Sequence, residues 1–332
     1  MLLKTPVEVY WILTDRCNLK CNFCLSESDS APRKHELTAA QRERVLHDLI
    51  QAKVLKVYLS GGEPLLIPET VDYVRRLRAH NVFTVLTTNG VLLDGQSIRR
   101  LGDCGLNRIQ LSIHGSTPAM NDGIMGGPAF EAIMRNLEAI SESGLDLHIK
   151  ITATRENIQD LPRLVEGLGA FGASLINIWE ITPMGRGFHN RDALQPTRGV
   201  LEALRNRVAD FNARGMQVSF MSQTLQAAEH GRPSTCTVGN PNAATCLIMA
   251  DGNMTPCTPA HIWGLSNNVL EHGVQGAWHR LPSYARFIRP EKLRGGCRSC
   301  EVLEECRGGC RAEAYLFTND VWGEDSPCIR LA

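Results

Sequence analysis

Three cysteines fall within one short stretch near the start of the chain, Thr14-Asp-Arg-Cys17-Asn-Leu-Lys-Cys21-Asn-Phe-Cys24. Spacings of three and then two residues put their thiolates on a single tight loop. An iron–sulfur cubane is normally held by four thiolates, so three leave one iron with an open position. The same logic separates catalytic from structural metal sites. A zinc knuckle and a set of buried core thiols are the plainer readings of such a loop.

Composition narrows the setting. A chain of 332 residues can bury a large core and form two domains. Thirty-five basic residues balance thirty-five acidic ones, so no cationic surplus argues for nucleic acid. Pro6 and Glu8 interrupt the N-terminus before a secretory apolar region develops. No run approaches the roughly 18–20 apolar residues that span a bilayer. A cytoplasmic protein without a membrane partner is therefore expected. The cytosol keeps thiols reduced, so twelve cysteines point to metal or cluster ligands rather than disulfides.

Residues 6–13, 54–59, 82–87, 108–113, 145–153 and 174–181 read as strands. Helices are expected over about 38–52, 68–80, 94–103 and 128–143, and again on the stripe Leu161, Leu164, Val165, Leu168. Thr38 caps the first of them, and Gly144 stands just past the end of the fourth. Strands alternating with helices imply a parallel sheet, with the chemistry at the carboxyl ends of the strands. The cysteine loop, Gly61-Gly62-Glu63-Pro64, Thr88-Asn89-Gly90 and Ile113-His114-Gly115 all fall at such ends. A further helix over 197–214 and a strand over 216–221 lead onward.

Eight more cysteines lie in the last third: Cys236, Cys246, Cys257, Cys297, Cys300, Cys306, Cys310 and Cys328. Eight ligands fit two four-cysteine clusters with none left over, although paired four-cysteine zinc sites have the same count. Cys246 to Cys257 reads as a hairpin whose Asp251-Gly252 turn brings two thiolates together. Cys104, at a helix end, reads as a small core residue.

These motifs together resemble the radical S-adenosylmethionine (SAM) enzymes with a C-terminal SPASM domain, and most of all the mycofactocin-type peptide maturases. The likeness covers essentially the whole chain. It rests on Cys17–Ser28, Gly-Gly-Glu-Pro, Thr-Asn-Gly-Val, Pro183-Met-Gly-Arg-Gly and Cys306-Arg-Gly-Gly-Cys310. The resemblance implies an α/β fold, a partial (β/α)6 TIM-type barrel followed by a small cysteine-rich SPASM domain carrying iron–sulfur clusters. The barrel would occupy 1–190, a bridging region 191–235 and the SPASM domain 236–332. The cofactors implied are SAM and three 4Fe–4S clusters, one SAM-binding and two auxiliary.

By the same resemblance Cys17, Cys21 and Cys24 hold the first cluster. Cys236, Cys246, Cys257 and Cys310 hold the first auxiliary cluster, and Cys297, Cys300, Cys306 and Cys328 the second. Gly61, Gly62 and Glu63 meet the methionyl ammonium of SAM. Asn89 and Ser112 face its methionyl and ribose groups, Arg155 pairs with its carboxylate, and Phe23 lies beside adenine. His114, Glu180 and His189 are the candidates for catalytic proton transfer.

The function implied is an oxidoreductase that cleaves SAM to a 5′-deoxyadenosyl radical and abstracts a hydrogen atom from a ribosomal peptide. A small molecule, such as a tetrapyrrole or aminosugar precursor, is the alternative substrate, and an iron–sulfur electron carrier the non-enzymatic alternative. The first strand begins within about six residues of Met1, so a separate leader-peptide-binding protein is expected, with a flavodoxin or ferredoxin as reductant.

Overall fold

The computed structural model describes residues 3–32, 35–230, 244–258, 266–281 and 289–325. Cys236 and Cys328 lie outside these residues. All six expected strands form: β1 (Glu8–Ile12), β2 (Lys56–Ser60), β3 (Phe83–Thr88), β4 (Arg108–Ser112), β5 (Leu147–Ala153) and β6 (Leu175–Glu180). Each pairs in parallel with the next. The helices between them are α1 (Ala39–Gln51), α2 (Thr70–Ala79), α3 (Gly95–Asp103), α4 (Pro118–Met125), α5 (Phe130–Ser143) and α6 (Leu161–Leu168).

The ends of these helices follow local chemistry. Thr38 accepts from the Gln41 N–H while Gln41 returns a bond to the Thr38 N–H, closing a capping box on α1. Gly144 ends α5 in the left-handed region, as its position implied. Helix α4 was not legible as a helix, being only eight residues long; its signal is Thr117 as cap, Pro118 in the first turn and Gly126 at the end.

The sheet does not stop at β6. Beyond the short helices α7 (Arg186–His189) and α8 (Arg191–Leu194), helix α9 (Arg198–Ala213) leads to β7 (Val218–Met221), which pairs in parallel with β6. Helix α10 (Gln223–His230) follows. Strand β8 (Thr245–Ile248) then lies parallel to β1 on the opposite side, and the Asp251-Gly252 turn folds β9 (Asn253–Thr255) back against it. Strand β10 (Asn267–Asn268) completes a ten-stranded sheet ordered β10-β9-β8-β1-β2-β3-β4-β5-β6-β7. Strands from all three stretches of the chain therefore share one sheet. Helix α11 (Val269–Arg280) packs on α1, and the one-turn α12 (Leu303–Cys306) and α13 (Arg311–Thr318) follow. Among the described residues no helix is long and apolar enough to cross a membrane.

Alternation along the strands gives the sheet two different faces. Val9, Trp11, Val57, Leu59, Ile109, Leu111, Ile149 and Ile151 are buried in one core with Val45, Leu46, Leu49, Ile133 and Leu137 of the covering helices. The residues between them form the inner face. Near its amino end that face is closed by Tyr10 stacked on Tyr58, with ring centroids 4.1 Å apart, and by Lys56 paired with Glu8 and Arg108 paired with Asp146. The carboxyl end carries the loops.

Candidate active site

The three-cysteine loop has little regular structure of its own, so its backbone groups are satisfied by the elements around it. The Cys17 N–H donates to Asp29 O, Lys20 N–H to Met125 O and Asn22 N–H to Ile124 O. Arg186 works as a buckle: its Nε donates to Cys21 O, its Nη2 to Ser28 O and its own backbone N–H to Cys24 O. At the loop's entry, Glu36 Oε1 accepts from Thr14 Oγ1 and Asp15 N. Asn190 and Glu156 each hold Asn22 from the outer side.

The Gly61-Gly62 pair lies directly on this loop. Gly62 N–H donates to Thr14 O and Glu63 N–H to Arg16 O. A Cβ on Gly62 would stand 2.1 Å from Arg16 O, so only glycine lets the two backbones approach. The pair is thereby packed against the loop that holds the thiols.

Glu63 follows directly. Its side chain is fully buried, Oε1 accepting from Leu65 N and Thr88 Oγ1 and Oε2 from Asn89 N. It therefore ties the ends of β2 and β3 together. Burial raises its carboxyl to about 7, against the three donors that favour the charged form. Asn89 is committed in the same way: its Nδ2 donates to Cys17 Sγ at 3.6 Å and to Asn18 Oδ1 at 2.8 Å, while its Oδ1 accepts from Val91 N. It positions the first thiol.

Of the three proton-transfer candidates, only His114 is built into the inner face. It is buried, its Nδ1 accepts from Thr152 N, and its ring meets Phe23 edge-on at 4.7 Å. That bond assigns the proton to Nε2. Burial, with Lys150 adding to it, drops its pKa to about 3, so the ring is neutral. Glu180 is held by its neighbours: its two oxygens accept from Gln195 Nε2, Ser222 Oγ, Thr224 Oγ1 and Thr224 N, which ties the end of β6 to the start of α10. His189 is exposed on α7, with Nε2 3.4 Å from Glu27. Arg155 is exposed past β5, its Nε donating to Gln195 O.

One inner-face residue was missed. Lys150 on β5 is half-buried, in register with Ser112 on β4 and Asn177 on β6. Its ammonium has no ion pair or hydrogen bond among the described residues, whereas Lys56 and Arg108 below it are paired. Asn177 accepts from Ser219 Oγ on β7, so the row carries donors and no carboxylate. In the next inward-facing register stand Trp179 and Met221, large apolar side chains left 47% and 43% exposed. The signal available in the sequence was a lysine at an inward position of a strand.

The loop's chemistry fits an iron–sulfur cluster. Desolvation, then Cys24 and Cys17, push the Cys21 thiol up to about 12, with Arg186 opposing. Three crowded thiols are poorly placed as thiolates until a cationic core neutralises them. Cys17 Sγ also accepts the Leu19 N–H at 3.4 Å beside the Asn89 amide, the kind of N–H contact to sulfur that tunes a cluster. Among the described residues no three His, Cys, Asp or Glu side chains converge as ligands of a single metal ion.

In the C-terminal part, Cys297, Cys300 and Cys306 act electrostatically on one another. Cys246 does not join any such group. It is fully buried in the core, at 0% solvent exposure on β8 beside Val9, and only burial acts on its thiol, raising its pKa. Strand alternation on β8 turns Cys246 into the apolar layer, whereas the sequence pattern groups it with the cluster ligands.

Comparison with known proteins came to the same family. The Radical SAM superfamily matches residues 11–168. The chain is 30% identical to the PqqA peptide cyclase of Granulibacter bethesdensis, covering 98% of this chain and 88% of that protein. It is 29% identical to the mycofactocin maturase MftC of Mycobacterium ulcerans, covering 99% and 89%. Among solved structures, Streptococcus suis SuiB bound to S-adenosylmethionine superposes with a TM-score of 0.79 at 19% identity, covering 98% of this chain and 78% of that one. That likeness establishes the fold.

Three outcomes check this account. Gly62→Ala lowers stability by about 1–3 kcal/mol through the clash with Arg16 O, and lowers the iron bound on anaerobic reconstitution; wild-type iron content would contradict the packing role. Cys246→Val stays within about 1.5 kcal/mol of wild type, as a volume-conserving core change should, and binds wild-type iron; loss of iron would restore Cys246 as a ligand. His114 takes up its proton near pH 6.5 only when unfolded, so stability falls as pH drops. Urea unfolding should show a loss of about 2 kcal/mol from this group between pH 6.5 and 5, absent in His114→Gln.

Proposed function

The chain belongs to the radical SAM superfamily, in the group with a cysteine-rich SPASM-type C-terminus, and on that footing we propose that it is an oxidative peptide maturase. The observation that carries the reading is the three-cysteine loop, held by Arg186, Glu36 and Gly62 at the carboxyl ends of the strands. Peptide as the substrate class is supported by the named activities of the PqqA peptide cyclase and the mycofactocin maturase.

Cys17, Cys21 and Cys24 would hold a 4Fe–4S cluster with one iron left for SAM. Cys297, Cys300 and Cys306, with Cys310, Cys257, Cys236 and Cys328, would hold two auxiliary clusters. When bound, the first cluster and SAM together supply reductive cleavage of the sulfonium and, through the 5′-deoxyadenosyl radical, hydrogen-atom abstraction from the substrate.

The chain's own groups set the conditions for that chemistry. Asn89 and the Leu19 N–H hold Cys17 in place and favour its thiolate. Phe23 and the neutral His114 form one wall, on which no charge has to be desolvated. Lys150, Ser112 and Asn177 offer donors for an anionic or carbonyl group, and Trp179 and Met221 offer apolar area for a side chain. Phe188 on α7 meets Phe317 on α13 at 5.4 Å, which sets the C-terminal cysteine segment beside the helix that carries Arg186. Electrons leaving an oxidised substrate would travel to that segment. A flavodoxin or ferredoxin would deliver the first electron, and a separate small protein would present the leader of the peptide.

Anaerobically reconstituted protein with dithionite should convert SAM to 5′-deoxyadenosine, and Cys17→Ala should not. Cleavage at the wild-type rate in that variant would contradict the assignment of the first cluster.

A further inference from the structure

Arg311 opens α13 directly after Cys310, and it is one of the largest fully buried side chains of the protein, at 1% exposure. A guanidinium has five N–H donors and no acceptor, and cannot shed its charge. Here Nη1 donates to Val321 O and Gly323 O. Nε and Nη2 are buried with no partner. No ion pair to Arg311 is formed among the described residues, although Asp325 lies close by and accepts the Cys310 N–H.

The side chain is nonetheless held in place. Gly308, at φ +89°, makes room for it: a Cβ there would sit 3.1 Å from Arg311 Cζ and closer still to Leu293. A positive charge with two idle donors is costly inside a protein unless something anionic and accepting stands beside it. Gly308, against which the guanidinium lies, gives its own N–H to the Cys306 sulfur, so Arg311 stands beside the Cys297, Cys300 and Cys306 group, and its charge favours the thiolate at Cys297 and Cys306. A thiolate-ligated iron–sulfur cluster carries net negative charge and presents sulfur acceptors, and its potential responds to nearby charge and to hydrogen bonds at sulfur.

We propose that Arg311 donates its Nε–H and Nη2–H to sulfur atoms of the iron–sulfur cluster held by Cys297, Cys300 and Cys306, and thereby holds that cluster's reduction potential up. The proposal rests on the reading that these cysteines bind a cluster. Reduction adds one negative charge to the cluster, and a fixed cation with donors at its sulfurs stabilises the reduced state more than the oxidised one. The residue following Cys310 thus makes the cluster a better electron acceptor. Arg311 is a positioning and tuning group, not a ligand.

The test uses full-length protein carrying Cys17→Ala, Cys21→Ala and Cys24→Ala, which removes the first cluster's signal. Anaerobically reconstituted samples are titrated potentiometrically with detection by electron paramagnetic resonance. Arg311→Met should shift one cluster's oxidised-to-reduced ratio at fixed poise at least tenfold toward oxidised, a fall of about 59 mV for one electron. Arg311→Lys, which keeps the charge but loses the fork, should fall by less. Unchanged potentials with iron retained in both variants would overturn the proposal. Absence of iron from the parent itself would instead overturn the cluster reading. Should both variants lose iron, pulsed resonance on the parent labelled with 15N-arginine decides: nitrogen coupling to the reduced cluster supports the proposal, and no coupling overturns it.

Discussion

The backbone of the three-cysteine loop is the constraint on which the rest of the structure depends. A loop that must point several thiols at one centre cannot also pair its own N–H and C=O groups as a helix or strand would. Its neighbours supply those partners: Met125 and Ile124 from the end of α4, Asp29 from the returning chain, and Arg186 from α7. All but Asp29 lie far from the loop in sequence. The sheet's parallel order brings them to one end, and so the barrel is the device that makes the loop rigid.

Charge is distributed around the cysteine groups and the inner face in an unusual way. Glu63 is buried with three donors and no cation, Lys150 faces the inner cavity without an anion, and Arg311 is buried with two idle donors. Isolated buried charges destabilise a fold unless a partner is provided. In this protein they lie beside the two cysteine groups or on the face between the strand ends. Elsewhere on the same inner face, Lys56 and Arg108 are neutralised within the chain. Uncompensated charge thus coincides with the places where ligands are expected, as functional sites tend to store local cost.

Much of this was legible in the sequence, and the reasons are physical. Strands β1 to β6 announce themselves by β-branched runs, and α1 and α5 by stripes with Thr38 and Gly144 as punctuation. The spacing of Cys17, Cys21 and Cys24 carries its meaning unaided. What spacing cannot carry is direction. Glu63, Asn89 and Gly62 stand out by motif, but spacing could not show that their side chains and backbone bind the cysteine loop and the ends of β2 and β3 to one another. Cys246 has the residue type of a ligand but the parity of a core position on β8. Lys150 was overlooked because a single lysine has no motif, and Arg186, although it stands in the Pro183-Met-Gly-Arg-Gly stretch, had no role assigned because its importance comes from neighbours far along the chain.

The central claim is that this loop is a preorganised site for an iron–sulfur cluster with one iron free for SAM. The most direct test is the electron paramagnetic resonance spectrum of the reduced, reconstituted protein with and without SAM, taken alongside its iron, sulfide and zinc content. The account predicts iron and sulfide without zinc, and a cluster signal that changes when SAM is added and is missing when Cys17, Cys21 and Cys24 are replaced. Zinc in place of iron, or a cluster spectrum indifferent to SAM, would contradict it.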